Sequence, residues 1–291
     1  MRWKGREQSQ NVEDRRGITP AMAVGGGGIL VLVIGLILSF LDPKAAEQFV
    51  RGQQNNPAAQ NTPAKQSRNP NEPDNEGEFI KVVLRDTETI WDRLFKEQVQ
   101  GGGYKPPQPV MFSGSVQSRC GMATSEVGPF YCPGDMKVYI DPTFFVELEK
   151  RHKAGGDFAR AYVIAHEVAH HVQKLLGFSD KVDAVRARGN QIETNRASVR
   201  LELQADFLAG VWAHHAHKEY NILEPGDIES GINAANRIGD DTLMKEATGR
   251  AIPERYTHGT SAQRMKWFTK GLKSGDINGC TELFEIPYED L

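Results

Sequence analysis

Apolar positions in this chain change their period several times, and each change marks an element. Residues 21–41 are apolar without a single charge, a length that matches a bilayer core at about 1.5 Å rise per residue. From 42 to 77 the chain is rich in Gln, Asn, Pro and Ala with no sustained apolar period, the composition of a flexible tether. Ile80 to Phe95 then reads as a helix, with Val83, Ile90, Trp91 and Leu94 turned inward. Extended segments are expected at Val110–Phe112 and Lys137–Ile140. Phe158, Tyr162, Ala165, Val168, Ala169, Val172, Leu175 and Leu176 return at helical spacing, with Asp157 a candidate N-cap and Gly177 a stop. A further apolar helix runs through Val199–Leu208. Thr260 and Gln263 form a capping-box pattern ahead of Met265, Trp267 and Phe268.

The helix after Gly156 carries His166-Glu167-Val168-Ala169-His170. Residues four apart share a helix face, so both imidazoles can aim at one point, half of a zinc site. Glu167, one step round, can take a proton from a water held there. Catalytic zinc needs a third protein ligand. The metzincin pattern would place Gly and His at 173 and 176, but Gln173 and Leu176 stand there, so that class is excluded. In the later helix Glu202 and Asp206 lie four apart among Leu, Ala and Val. Two carboxylates on an apolar helix are costly unless a positive charge compensates them. Zinc ligation by Glu202, with Asp206 orienting a histidine through its free N–H, would do so. A solvated acidic face paired with Arg196 or Arg200 is the bland alternative. His214, His215 and His217 read as decoration of the exposed helix end.

In its segments HEVAHHVQ, LELQADFLAGVW and THGTSAQRMKWF the chain resembles the bacterial membrane-anchored "putative neutral zinc metallopeptidase" group, the YpfJ-like proteins. The resemblance covers nearly the whole chain. More distantly the same motifs are similar to gluzincin peptidases. The resemblance implies Zn2+ held by His166, His170 and Glu202, Glu167 as general base, and a protein or peptide substrate. In the resembling group Cys often follows the Glu-Leu-Gln-Ala-Asp run. Phe207 stands there instead, which leaves Cys280 without a partner. For His258, in the turn before the capped helix, the gluzincin resemblance implies a hydrogen bond to the oxyanion; a histidine that merely ties the turn is the other reading.

Composition adds bounds. The chain has 291 residues and 39% apolar content, room for one substantial domain with appendages. A net charge of −3 and a pI near 6.3 give no electrostatic case for nucleic acid as a partner. Three cysteines without zinc-finger spacing leave metal binding to His and Glu. Cys120 and Cys132 bracket a loop ahead of Met136–Ile140; outside the cytoplasm they can close as a disulfide, inside it they would stay thiols. That strand, ending at Asp141-Pro142, is either a core strand or the edge along which an extended peptide is aligned.

Arg2, Lys4, Arg6, Arg15 and Arg16 precede the apolar run, which by the positive-inside rule puts the N-terminus in the cytoplasm. The run is longer than a usual signal-peptide core and no clear cleavage site follows, which favours an uncleaved anchor. The organisation expected is therefore a cytoplasmic tail over 1–20, a transmembrane anchor over 21–41, a linker over 42–77 and a zinc metallopeptidase domain over 78–291. The fold expected is α+β, a helix-rich zincin-like domain with a small sheet behind one transmembrane helix. The location expected is the bacterial cytoplasmic membrane, single-pass, with the domain on its outer side. The alternative function is a zinc-binding pseudoenzyme or an envelope interaction module without proteolytic activity.

Overall fold

A computed structural model describes residues 1–17, 73–99, 101, 103–152, 155–237, 239–248 and 250–291. The expected anchor at 21–41 and nearly all of the expected linker lie outside the described residues. Among the described residues no helix is long and apolar enough to cross a membrane.

In chain order the elements are β1 (Glu13–Asp14), α1 (Asn75–Gln98), β2 (Gln108–Met111), β3 (Ser115–Ser118), β4 (Gly121–Thr124), β5 (Phe130–Cys132), β6 (Lys137–Ile140), α2 (Thr143–His152), α3 (Asp157–Leu175), α4 (Phe178–Arg186), α5 (Gln191–Tyr220), α6 (Asp227–Arg237), α7 (Asp240–Thr248) and α8 (Ser261–Ser274). The architecture is helix-rich α+β.

Several boundaries move for identifiable reasons. Helix α1 begins at Asn75 rather than Ile80, because Asp74 caps it by accepting from Gly77 N in a stretch whose polarity hides the helical period. Helix α3 is capped by the Gly156 backbone, and Asp157 is its first residue instead of its cap. Asn190 accepts from the amides of Ile192 and Glu193 and starts the long α5, while the expected capping box at Thr260 and Gln263 starts α8.

The larger sheet has the order β1-β2-β6-β5, parallel except for the antiparallel β5–β6 pair; β3 and β4 form a separate hairpin. Lys137–Ile140 is thus an inner strand, paired on both sides, and not the open edge. The edge beside α3 is the short β5. Its run Phe-Tyr-Cys, pinned between Pro129 and Pro133, is too brief to show a strand period. A disulfide joins Cys120, in the β3–β4 turn, to Cys132 at the end of β5. At the other edge β1, from the segment expected as a cytoplasmic tail, pairs with β2.

One apolar core runs beneath α1, α3, α5 and α8, filled by Phe79, Trp91, Phe158, Trp212, Trp267 and Phe268 among others. Helices α5 and α8 touch backbone to backbone. A Cβ on Gly271 would overlap the Phe207 carbonyl, and one on Gly210 would overlap the Phe268 carbonyl, so this crossing requires glycine at both positions. Phe207 also lies against Gly279, where an added Cβ would come 2.8 Å from its ring; the neighbouring Cys280 is buried and free.

Candidate metal centre

Helix α3 presents His166, Glu167 and His170, and α5 presents Glu202 opposite them. His166 Nε2 lies 3.2 Å from Glu202 Oε2, and His170 Nε2 lies 3.6 Å from Glu202 Oε1. Potential ligand atoms of the three residues all fall within 4.8 Å of one another. A tetrahedral ion with bonds of about 2.1 Å separates its ligands by about 3.4 Å, and the two histidine–Glu202 separations lie on either side of that value.

What stands behind the histidines fixes which nitrogen each offers. His166 donates from Nδ1 to Asp206 Oδ1 at 2.9 Å. His170 donates from Nδ1 to Gln173 Oε1 at 2.8 Å. Both rings are thereby held in the tautomer that leaves Nε2 for the metal. Asp206, fully buried, also accepts from Tyr162 Oη at 2.5 Å and from Arg264 at 2.9 and 3.1 Å. Gln173, also fully buried, donates to Leu201 O and to Gln204 Oε1, and Gln204 in turn donates to Cys280 O. Each imidazole therefore rests on a buried polar chain anchored in α5, one charged and one neutral.

Electrostatics follow this arrangement. Burial works against a charge on Asp206, but Arg264 and His166 outweigh it and hold the carboxyl at about 2. Burial also opposes a proton on His166; in the metal-free centre the Asp206 charge and the bonds to Asp206 and Glu202 prevail and raise it to about 10, so a metal would take the place of the Nε2 proton. Glu202 is held well below the usual carboxylate range by His170 and His166 against the cost of burial. Glu167 moves the other way. Its loss of solvent raises its pKa, with the histidines only partly offsetting the shift.

Glu167 is held from outside the helix. Tyr131 N, on β5, donates to Glu167 Oε2 at 2.9 Å. That amide points away from β6 toward the open edge, and strand alternation puts the Tyr131 carbonyl on the same side. His171, the histidine adjoining the motif, turns away from the centre. It contacts Lys105 O at 2.7 Å and Tyr131 Oη at 3.2 Å, tying β5 to α3.

His258 lies in the turn before α8. The turn packs on α5 beside Glu202, since a Cβ on Gly259 would come 3.1 Å from Leu203 and 3.3 Å from Val199. His258 itself is half exposed; its Nδ1 is 3.1 Å from Asp240 Oδ1, which leaves Nε2 for another partner. Asp240 Oδ2 also accepts the amides of Thr257, His258 and Gly259, and so shapes the whole turn. Lost solvent lowers the His258 pKa, but Asp240 and the Glu202 charge reverse this and raise it. His214 and His215 contact the carbonyls of Leu272 and Gly275 and take no part in the cluster.

Sequence reasoning missed Gln173, Tyr131 and Asp240; Arg264 is legible as a tie to a carboxylate, but not that the carboxylate is Asp206. A buried glutamine one turn after an HExxH helix segment was the one available signal for Gln173, which served only to exclude metzincins.

An HExxH helix facing a carboxylate on a second helix, each histidine braced from behind, is a donor set of the kind zinc peptidases use. The chain belongs to the family described as "Putative neutral zinc metallopeptidase", whose profile matches residues 1–283. It is 43% identical over 289 residues to the uncharacterized protein YpfJ of Escherichia coli (strain K12), covering 96% of this chain and 98% of that one. It is also 43% identical over 212 residues to the uncharacterized protein Rv2575 of Mycobacterium tuberculosis (strain ATCC 25618 / H37Rv), covering 69% of this chain and 70% of the relative. No solved structure matches.

Proposed function

We propose that this protein is a zinc-dependent peptidase that hydrolyses peptide bonds of proteins in the cell envelope. The observation that carries the reading is the convergence of His166, His170 and Glu202 at zinc-ligand spacing with Glu167 beside them. His166, His170 and Glu202 would hold Zn2+. When bound, zinc supplies Lewis acidity and brings the pKa of water to about 7. Glu167, placed between the two histidines of the motif and held by the Tyr131 amide, would take the proton of the attacking water and deliver it to the leaving amine. Asp206 and Gln173 keep the two imidazoles from rotating. An extended substrate lies along the open edge of β5, where the Tyr131 backbone meets Glu167 and can pair with the peptide. His258 donates from Nε2 to the carbonyl oxygen as it gains charge.

The disulfide between Cys120 and Cys132 supports an oxidising location, the outer side of the cytoplasmic membrane, with residues 21–41 as the attachment. The test is metal analysis of the purified protein, a screen for peptide hydrolysis and a Glu167→Gln control. Alanine at 166, 170 or 202 is expected to lose zinc. Stoichiometric zinc without hydrolysis of any peptide in the screen would make the protein a zinc-binding module instead.

A further inference from the structure

Residues 1–17 precede the apolar run, and a single crossing by that run would leave them across the membrane from the zinc domain. They are instead built into the domain along their length. Arg2 N donates to Ile222 O at 2.8 Å. Trp3 is buried, stands edge-on to Phe79 at 5.4 Å, and donates from its indole to Asp157 at 2.9 Å, in the first turn of the helix that carries His166. Arg6 makes a two-point contact with the buried Asp86 of α1 at 2.8 and 2.5 Å. Ser9 is buried; its amide donates to Lys81 O at 2.9 Å and its hydroxyl to Glu88 at 2.6 Å. Asn11 donates to Pro107 O. Glu13 and Asp14 then pair with Val110 and Met111 as β1, and Arg15 N adds a bond to Met111 O at 2.7 Å.

The end of this strap meets the start of the domain. Arg16 binds Asp74 through both guanidinium nitrogens, at 3.0 and 2.6 Å, and Asp74 is the cap of α1. Residues 18–72 therefore leave and re-enter the described structure at one place. The cations that suggested a cytoplasmic tail also find a different explanation. Arg2 pairs with Glu224, Arg6 with Asp86, Arg15 with Glu13, and Arg16 with Asp14 and Asp74. Four of the five positive charges on which the orientation rested are thus spent on carboxylates of the folded protein, three of those four on carboxylates beyond residue 70.

We infer that residues 1–17 are a permanent strap of the zinc domain, on the same side of the membrane as its metal centre, so that the chain does not cross once between Gly17 and Asp74. Residues 18–72 begin and end on one face of the membrane, and the domain is attached from one side. The strap also excludes removal of the N-terminus as a signal peptide, since cleavage after the apolar run would strip Trp3 and Arg6 from the core.

The test uses the full chain in bacterial membranes. Cysteines are placed at exposed Gln10 in the strap and exposed Ala184 in the domain, and intact and permeabilised cells are treated with a membrane-impermeant maleimide. Both positions are expected to label together in intact cells. Joint protection in intact cells would keep the strap with the domain while moving both to the cytoplasm. Labelling of one position without the other would overturn the inference.

Two measurements ask whether the strap is docked. In the unmodified protein the amides of Ser9 and Arg15 are expected to resist hydrogen exchange as the β2–β6 ladder does; free exchange there would overturn it. Trp3→Ala is expected to lower the melting temperature of the domain by about 10 °C. An unchanged melting temperature would mean the strap is elsewhere, and an intact mass lacking residues 1–17 would have the same force.

Discussion

Replacing Arg264 by Met removes the guanidinium that faces Asp206 and keeps an apolar stem of similar length. Asp206 is fully buried, and its remaining partners are Tyr162 and His166. Stripping one partner from a buried ion pair costs about 3–5 kcal/mol, because the other charge stays without solvent. In a domain of this size that corresponds to a fall of about 6–20 °C in melting temperature. The pH dependence has a definite sign. Asp206 sits at about 2 in the fold against an ordinary value of 3.8, so its contribution is present above the ordinary value and is lost as pH falls through 2. That depression alone is worth about 2 kcal/mol. Without Arg264 the carboxyl rises, so the variant's deficit relative to the parent should be larger at pH 7 than at pH 4. The assay is thermal and denaturant unfolding of the zinc-free protein for the parent, Arg264→Met, Asp206→Asn and the double variant. The double variant should be more stable than the sum of the two single losses allows, since no charge is then stranded. Strictly additive losses, or an Arg264→Met protein within about 0.5 kcal/mol of the parent, would refute a stabilising pair.

Gln173→Leu should fold but bind zinc about 10- to 100-fold more weakly, because His170 loses the acceptor that orients it; a zinc titration with a competing chelator reads this directly. Glu167→Gln should retain zinc and lose hydrolysis, and equal turnover in the two proteins would remove Glu167 as the base. His258→Ala should lower kcat about a hundred- to a thousandfold with zinc content unchanged; a mainly destabilised protein would make His258 a turn residue held by Asp240. Thiol labelling of the unfolded, unreduced protein should find Cys280 alone, and reduction should cost about 3 kcal/mol of stability for a loop of this length.

The candidate metal ligands were legible because each signal is local. His166 and His170 announce themselves by spacing, and Glu202 and Asp206 by being charged where the helix is otherwise apolar. What braces them was not, since it depends on where other helices come to rest. Arg264 reaches Asp206 because α5 and α8 cross at Gly210 and Gly271, and no pattern within either helix reports the crossing. Gln173 has its role from the Leu201 carbonyl and Gln204. Met136–Ile140 is legible as a strand from its Val-Tyr-Ile run, but whether it is the core strand or the edge is not; the structure makes it the inner strand, and the edge falls to β5, whose three residues are too few to show a pattern. The contacts of residues 1–17 were hidden for a similar reason: a row of arginines says nothing of the carboxylates that answer it, which lie up to 222 positions away.

The glycine crossing has a consequence for how this protein tolerates change. Where two helices are kept apart by side chains, a lost methyl group in one can be answered by a gained one in the other, and lineages drift. Here main chain rests on main chain, so the separation is fixed by the radii of carbonyl oxygens and has no compensating partner to vary. In a library randomised at 210 and 271 and selected only for bound zinc, both positions should return glycine, although neither comes within reach of the ion. Such a library would score two residues without side chains as strictly as the histidines themselves.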